Sequence, residues 1–324
     1  MVRCLCLSGG SSERNKIHEI NDYGQENAVL YSEDDVVLGT SLEGFGSVCS
    51  LPGTKGFNQD SAILHLGYGG GGGGALCGVF DGHGDNGHCV SKIARNQLPA
   101  VLLGNMNTWP TRQWKRICHD TFSAVDKKIL NLKKTLDCSC SGTTAVLAVT
   151  RGEELMVANL GDSRAVLIRA NEKGEAKALQ LTNDLKPSVP SEAERIRKRN
   201  GRVLALEAEP HIQRVWLPFQ DYPGLAMSRA LGDFVLKNYG VIEFPDVSTH
   251  RITHHDRFLV LASDGVWDVL SNEEVAKVVM GKERDDGAAA NAGAEAAAEA
   301  WRLKFPAAKV DDISVVCLSL NKRL

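Results

Sequence analysis

The chain has 324 residues, of which 43% are hydrophobic and 24% charged, and 37 Lys and Arg against 40 Asp and Glu give a formal net charge of -3. This composition suits a globular fold with a sizeable buried core and excludes a wholly disordered chain. The balanced charge excludes a general attraction to nucleic acid or to an acidic membrane, so any preference for an anionic substrate must be local.

The first 35 residues are polar and aperiodic, which predicts a flexible tail ahead of a single domain at 36–324. In that domain, continuous apolar runs predict strands buried on both faces at 75–80, 143–149, 155–160, 165–169, 258–263 and 313–320. Helical patterns occur at 87–103, 111–136, 191–200, 271–280 and 288–303. Ser191 and Ser271 carry helix start signals for the third and fourth of these. Strands in runs with helices interspersed favour an α+β fold with sheets layered between helices.

Six consecutive glycines occupy residues 69–74, between two strand-like runs. A phosphate-binding loop would need Gly-Lys-Ser or Gly-Lys-Thr at the start of a helix, whereas Ala75 opens a strand. We therefore interpret the glycines as a flexible hairpin connection.

The nine cysteines lack the paired spacing of a zinc site, and a reduced intracellular compartment is their simplest setting. No window approaches the roughly 18 apolar residues of a membrane span, and the first ten residues lack the apolar stretch of a signal peptide. We therefore expect a protein of the cytoplasm, the nucleus or both, with no stable membrane insertion. We also expect a monomer, although no sequence pattern bears on the oligomeric state.

Aspartates recur beside the apolar runs. Asp81, Asp162 and Asp264 stand just past three predicted strands, and Asp60 and Asp311 also lie beside apolar segments. One such residue is usually a turn former or a helix cap. If several converge, however, their charges repel unless a cation lies among them. Oxygen ligands without His or Cys select Mg²⁺ or Mn²⁺ over zinc.

Seven short motifs follow one another along the chain: KGFNQD at 55–60, GVFDGHG at 78–84, SGTTA at 141–145, NLGDSR at 159–164, GLAMSRALGD at 224–233, LASDGVWD at 261–268 and DDIS at 311–314. A single motif of this kind is weak, but seven in one order are specific. With them the sequence resembles the type 2C metal-dependent protein serine/threonine phosphatases, and the Asn-Gln-Asp and Ala-Met-Ser-Arg segments look most like plant members.

The resemblance implies a four-layer α+β sandwich, in which two central antiparallel β-sheets are flanked by helices and two Mg²⁺ or Mn²⁺ ions lie in a cleft at one end. Asp81 is expected to bridge both ions and the Gly82 carbonyl to bind one. Asp264 and Asp311 are expected to complete the inner ligands.

Further residues receive roles from the same resemblance. Asp60, together with Gln59, is expected to act through metal-bound water. Asp162, and with it Asp233, is expected to support a weaker third ion. The two inner ions would activate a water molecule for attack on phosphorus.

Two residues are expected to act on the substrate itself. Lys55 stands where the family has a basic phosphate-binding residue, often Arg, and would hold the phosphate as a point charge. His83 would give a proton to the leaving seryl or threonyl oxygen. Gln59 replaces an acidic residue common in animal members, and Asp85 adds a charge where the family often has glycine.

The expected partners are phosphoprotein substrates such as kinases. A regulatory pseudophosphatase that binds a kinase or receptor is the first alternative, and a dinuclear hydrolase of nucleotides or sugar phosphates is the second. Some plant members are hormone co-receptors with a projecting tryptophan, but the flanks of Trp216 do not match that pattern and predict a buried side chain.

Overall fold

Two large β-sheets form the centre of the computed structural model, which describes residues 17–18, 27–32, 46–69, 74–110, 113–282 and 288–320. The strands, in chain order, are β1 (Ile17–His18), β2 (Ala28–Ser32), β3 (Gly46–Leu51), β4 (Ser61–Leu66), β5 (Ala75–Phe80), β6 (Gly82–His83), β7 (Gly142–Thr143), β8 (Ala145–Arg151), β9 (Glu154–Leu160), β10 (Arg164–Ala170), β11 (Ala176–Gln180), β12 (Arg202–Leu206), β13 (Glu209–Trp216), β14 (Pro223–Leu225), β15 (Leu231–Gly232), β16 (Asp246–Arg251), β17 (Asp256–Ala262) and β18 (Ile313–Ser319). The helices are α1 (Gly87–Thr108), α2 (Trp114–Asn131), α3 (Pro190–Lys198), α4 (Phe234–Lys237), α5 (Asp264–Trp267), α6 (Asn272–Met280) and α7 (Ala289–Lys304).

The first large sheet has the strand order β1-β2-β4-β5-β8-β9-β16, and the second has β11-β10-β17-β18-β3. Neighbouring strands run antiparallel, as expected, except for the parallel pair of β2 and β4 near one edge. Two smaller sheets have the orders β12-β13-β14 and β15-β7-β6. The strands of the last of these sheets are only two residues long, but this sheet positions part of the site described below.

Three apolar layers hold the sandwich together. In β8, Val146 packs between the two sheets, whereas the adjacent Leu147 packs against α1 and α2. In β17, Leu259 faces the first sheet and Val260 faces α6 and α7. Alternate residues of a strand point to opposite faces, so a strand covered on both faces needs a continuous apolar run. Burying each such large side chain stabilises the fold by roughly 2 kcal/mol. The predicted four-layer α+β sandwich is confirmed.

The helix boundaries differ from the prediction by a few residues. Ser271 caps α6 as expected, since its Oγ accepts a hydrogen bond from the Glu274 amide while the Glu274 carboxylate accepts one from the Ser271 amide. Helix α3, by contrast, begins at Pro190 and not at Ser191. Proline suits the first position of a helix because its φ is already helical and no hydrogen bond to its nitrogen is needed there.

Part of the segment expected to be a tail lies in the first sheet. Strand β2 pairs with β4, Val29 is buried, and the carbonyl of Asn27 accepts a hydrogen bond from the Ala62 amide at 2.7 Å. Strand β1 pairs with β2 at the edge of the same sheet. The other residues of 1–35 lie outside the described ranges, so the boundary at 35 stays a prediction.

Most of the glycine run, residues 70–73, also lies outside the described residues. The strands that flank it, β4 and β5, pair as antiparallel neighbours, which is the arrangement a hairpin connection requires. Within the described ranges, no helix has the length and apolar character needed to span a lipid bilayer.

Candidate active site

Strand pairing brings the expected acidic residues to one end of the sandwich. In the first sheet, β4 begins beside the end of β5, so Asp60 and Asp81, which flank these ends, emerge together. In the second sheet, β18 begins beside the end of β17, which brings Asp311 and Asp264 together. A hydrogen bond of 2.7 Å from the Ser263 hydroxyl to the Asp60 carboxylate joins the two sheets at this point. The four aspartates therefore line one cleft, although they are spread over some 250 residues of sequence.

The backbone of Asp81 is held by the first two threonines after Gly142. Its amide donates to Thr144 Oγ1 at 3.0 Å, and its carbonyl accepts from the Thr144 amide at 2.9 Å and from Thr143 Oγ1 at 3.1 Å. Thr144 Oγ1 also shares a hydrogen bond of 2.8 Å with Ser163 Oγ. Because Ser163 follows Asp162 in the chain, Thr144 fixes Asp81 and Asp162 relative to each other.

The carboxylates in the cleft repel one another. Burial and the charge of Asp264 raise the pKa of Asp81 well above its usual range. Burial and the charge of Asp162 do the same to Asp264, although a hydrogen bond to Asp81 acts in the opposite direction. Burial and the charge of Asp312 raise the pKa of Asp60 to about 7. Strongly shifted acids that share one cleft are typical of a functional site.

The donor set fits a hard divalent cation. Oδ1 of Asp162 and Oδ1 of Asp264 are buried and have no hydrogen-bond partner among the described residues. A buried carboxylate oxygen without a partner is costly, and a cation that prefers oxygen ligands would remove that cost. Among those same residues, no three His, Cys, Asp or Glu side chains already surround one point at metal-ligand spacing. The individual ligand assignments therefore stay predictions.

Lys55 lies at the rim of the cleft. Its Nζ forms an ion pair and a hydrogen bond with Oδ2 of Asp311. Burial lowers the pKa of Lys55, but the interaction with Asp311 outweighs it and the net pKa is raised, so the side chain stays charged. The neighbouring Asp312 has a different role, since its carboxylate accepts the Gly53 and Gln59 amides, each at 2.7 Å. Asp312 therefore anchors the loop that carries Lys55.

His83 and Asp233 form a second charged pair at the site. Nε2 of His83 lies 2.6 Å from Oδ2 of Asp233. The small sheet creates this pair, because His83 in β6 lies beside Gly142 in β7, and β7 also pairs with β15, which ends one residue before Asp233. A Cβ atom on Gly142 would lie 2.2 Å from Oδ2 of Asp233, so a side chain there would displace it. Burial lowers the pKa of His83, but the charge of Asp233 and the hydrogen bond to it outweigh burial and the net pKa is raised.

The glycine expected to offer its carbonyl, Gly82, lies where the main chain is crowded. A Cβ atom there would come within 2.4 Å of the Gly87 carbonyl oxygen and 2.5 Å of the Gln59 carbonyl oxygen. The side chain of Gln59 donates to the Gly84 carbonyl at 3.0 Å. Gln59 thus ties the loop before β4 to the loop after His83.

Two charged residues to which the sequence analysis gave no role also lie at this site. Nζ of Lys186 is 3.8 Å from Oδ2 of Asp162. The charge of Asp268 contributes to the raised pKa of both Asp162 and Asp264. The spacing of Asp268, four residues after Asp264 on a helical turn, is a signal that could have placed both on one face. Lys186 lies in the loop between β11 and α3 and carries no such signal.

A four-layer sandwich with an acidic cleft, bordered by a lysine and a histidine-aspartate pair, is the architecture of a phosphate-ester hydrolase. The model of the protein phosphatase 2C family matches residues 50–304, and the chain belongs to that family of serine/threonine phosphatases.

Relatives in plants are similar over nearly the whole chain. The chain is 67% identical over 322 residues to "Probable protein phosphatase 2C 61" of Arabidopsis thaliana, which covers 99% of this chain and 97% of that one. It is 50% identical over 333 residues to "Probable protein phosphatase 2C 72" of the same organism, and the alignment covers 100% of this chain and 99% of that one. The predicted similarity to plant members is therefore confirmed.

Solved structures share the fold at low sequence identity. A serine-threonine phosphatase 2C from Toxoplasma gondii superposes with a TM-score of 0.74 at 22% identity, covering 86% of this chain and 96% of that one. A Caenorhabditis elegans sex determining protein gives 0.70 at 24% identity, covering 85% and 64%. These likenesses support the sandwich fold independently of the motifs.

Proposed function

We propose that the chain removes phosphate from phosphoserine and phosphothreonine in proteins by chemistry that depends on Mg²⁺ or Mn²⁺. The observation that carries this proposal is the cleft in which Asp60, Asp81, Asp264 and Asp311 meet with too little positive charge to balance them. We assign Asp81, Asp264, Asp311 and the Gly82 carbonyl as ligands of two ions, with Asp60 acting through water. Bound divalent cations supply positive charge that favours ionised water and neutralises phosphoryl oxygens.

The same cleft supports a weaker third ion. We assign it to Asp162 with Asp268, because the charges of these two residues interact and Asp162 Oδ1 has no hydrogen-bond partner in the described part of the chain. Asp233, which the sequence suggested for this role, has its carboxylate on His83. We therefore propose Asp233 as the partner of that histidine.

Lys55 and His83 act on the substrate in this proposal. The Lys55 side chain is 52% exposed, so its ammonium group can move from Asp311 to an incoming phosphate. Asp233 favours the charge state that proton donation requires, because a carboxylate beside the His83 ring stabilises its protonated form. It would give that proton to the departing seryl or threonyl oxygen.

A phosphopeptide assay tests the proposal. Purified protein should release phosphate from a phosphothreonine peptide with Mn²⁺ and lose that activity with a chelator. Asp81→Asn and Asp264→Asn should each lower kcat by at least about 10³, since each removes a charge on which the chemistry depends. Asp120→Asn, at an exposed position of α2, is the matched control and should leave the rate unchanged.

Other outcomes separate the alternatives. A folded protein without Mn²⁺-dependent turnover of any phosphate ester would favour a pseudophosphatase. Faster turnover of a nucleotide or a sugar phosphate than of the phosphopeptide would favour the other hydrolase. The expected monomer in the cytoplasm or nucleus stays a prediction, which size-exclusion chromatography and imaging of a tagged protein would test.

A further inference from the structure

Lys186 is a cation built into the acidic cleft by the fold. Its Nζ lies 3.8 Å from Oδ2 of Asp162, with 39% of the lysine side chain exposed and only 3% of the aspartate side chain. The separation is too long for a hydrogen bond, so the attraction between the two is that of an ion pair. Because Asp162 is removed from water, this attraction is screened less than that of a surface pair.

The position of Lys186 is set by its neighbour. The Leu185 amide donates to the carbonyl of Gly161, the residue before Asp162, at 2.8 Å. The Leu185 carbonyl accepts two hydrogen bonds from Ser228, at 2.9 Å from the amide and 2.7 Å from the hydroxyl. These hydrogen bonds tie together the main chain on either side of the pair, so the backbone of Lys186 is held close to Asp162.

The same segment is anchored from a third direction. Asp184 accepts two hydrogen bonds from Arg164, at 2.6 and 3.0 Å. Arg164 begins β10, the strand that follows Asp162. The planar two-point contact between Arg164 and Asp184 fixes geometry as well as charge. In addition, the Val189 amide donates to the Lys186 carbonyl at 3.1 Å.

The charge of Lys186 reaches more than one carboxylate. It opposes the effect of burial on the pKa of both Asp162 and Asp268, and the charges of Asp162, Asp268 and Asp264 in turn favour the protonated lysine. Yet Oδ1 of Asp162, on the same carboxylate, is buried without a hydrogen-bond partner among the described residues. The carboxylate is therefore only partly compensated, and a second cation could bind its other oxygen.

We propose that Lys186 acts as a built-in competitor at Asp162 and weakens the binding of a divalent cation by Asp162 and Asp268. The proposal depends on the metal chemistry proposed above. That chemistry gave Lys186 no role, and the proposal gives it one. Lys186 is a positioning residue here, since it acts through Asp162 and touches no reacting atom. The consequence is a third cation that binds weakly and exchanges readily.

Calorimetric titration of the full-length, metal-free protein with Mn²⁺ tests this directly. Lys186→Gln, which removes the charge and keeps most of the side chain, should bind its weakest Mn²⁺ roughly tenfold more tightly than the wild type. Lys186→Arg keeps the charge and should stay within about twofold. Lys198→Gln, at an exposed lysine of α3, is the matched control and should not change the titration.

The coupling to Asp162 is measured with a double-mutant cycle. In an Asp162→Asn background, Lys186→Gln should no longer strengthen Mn²⁺ binding, because the carboxylate through which it acts is gone. Melting in the presence of chelator gives a second readout: Lys186→Gln should melt below the wild type, and Mn²⁺ should reverse the order. If Lys186→Gln does not fold, Lys186→Met removes the same charge and takes its place.

Several results would overturn the proposal. Unchanged or weaker Mn²⁺ binding by folded Lys186→Gln would do so, and so would a gain that persists without the Asp162 carboxylate. A raised KM for phosphopeptide with an unaltered titration would make Lys186 a phosphate contact instead. A wild-type protein that binds no Mn²⁺ at all would remove the proposed metal chemistry itself, which is a different failure.

Discussion

Glu192 joins helix α3 to the segment before β15 through a buried charge network. Its side chain is 3% exposed and accepts two hydrogen bonds from Arg195, at 2.6 and 2.7 Å, and two from Arg229, at 2.7 and 2.9 Å. The Ser228 hydroxyl lies 2.6 Å from the same carboxylate and also reaches the carbonyl of Leu185, beside the acidic cleft. Glu192→Gln therefore tests how much this buried charge network stabilises the fold.

The pKa of Glu192 gives the expected magnitude. Burial alone would raise this pKa, but hydrogen bonds from Arg229, Arg195 and Ser228 outweigh burial and lower it from 4.5 to about 2. At about 1.4 kcal/mol per tenfold change in acid constant, the difference corresponds to about 3 kcal/mol of folding free energy at pH 7. Because the folded-state pKa is depressed, this stability is present above about pH 5 and is lost as the pH falls toward 2.

Urea denaturation of the wild type and of Glu192→Gln at pH 7 and pH 3 measures both quantities. The variant should be less stable by about 3 kcal/mol at pH 7, and the difference should shrink to about half by pH 3. Glu194→Gln, on the exposed side of the same helix, is the control and should change the unfolding midpoint little. A difference below 1 kcal/mol at pH 7, or one independent of pH, would refute the electrostatic reasoning.

Three further changes test the geometry of the cleft. Thr144→Val removes the acceptor for the Asp81 amide, which should destabilise the protein by about 1–3 kcal/mol and lower kcat by more than it changes KM; unchanged kcat with lowered stability would mean that the clamp serves folding alone. His83→Gln should lower kcat for a phosphopeptide roughly 10²-fold and affect p-nitrophenyl phosphate less, because the p-nitrophenolate leaving group needs no proton. Equal losses on both substrates would exclude proton donation. Gly142→Ala should lower kcat by displacing Asp233 from His83 while Mn²⁺ binding by calorimetry stays unchanged, and wild-type turnover would show that this pair is dispensable.

Local sequence patterns predicted most of the sandwich. The strand at 75–80 matches β5 at both ends, and the capping pattern at Ser271 gives the start of α6. Both signals are local, because they depend on residues a few positions apart. Strand β13 carries no such local signal, since it exposes side chains on both faces and has no continuous apolar run. Trp216 in β13 is buried as expected, and its Nε1 donates to the Leu204 carbonyl at 3.0 Å.

The contacts within the cleft could not be predicted in the same way. The motifs indicated that Asp60 and Asp81 belong together, but the hydrogen bond from Ser263 to Asp60 spans 203 residues of sequence. Lys186 was missed because an isolated lysine within a loop looks like any solvated surface charge. Its place beside Asp162 depends on how two separate loops are tied together, and such long-range hydrogen bonds leave no periodic trace in the sequence.

Diffraction at the manganese absorption edge, from crystals grown with Mn²⁺, tests the central claim most directly. We predict two strong anomalous peaks in the cleft, each within about 2.5 Å of carboxylate oxygens from the set Asp81, Asp264 and Asp311. A cleft without such peaks at saturating Mn²⁺, with phosphopeptide hydrolysis intact in chelator, would contradict the claim that these carboxylates gather to bind the ions that drive the reaction.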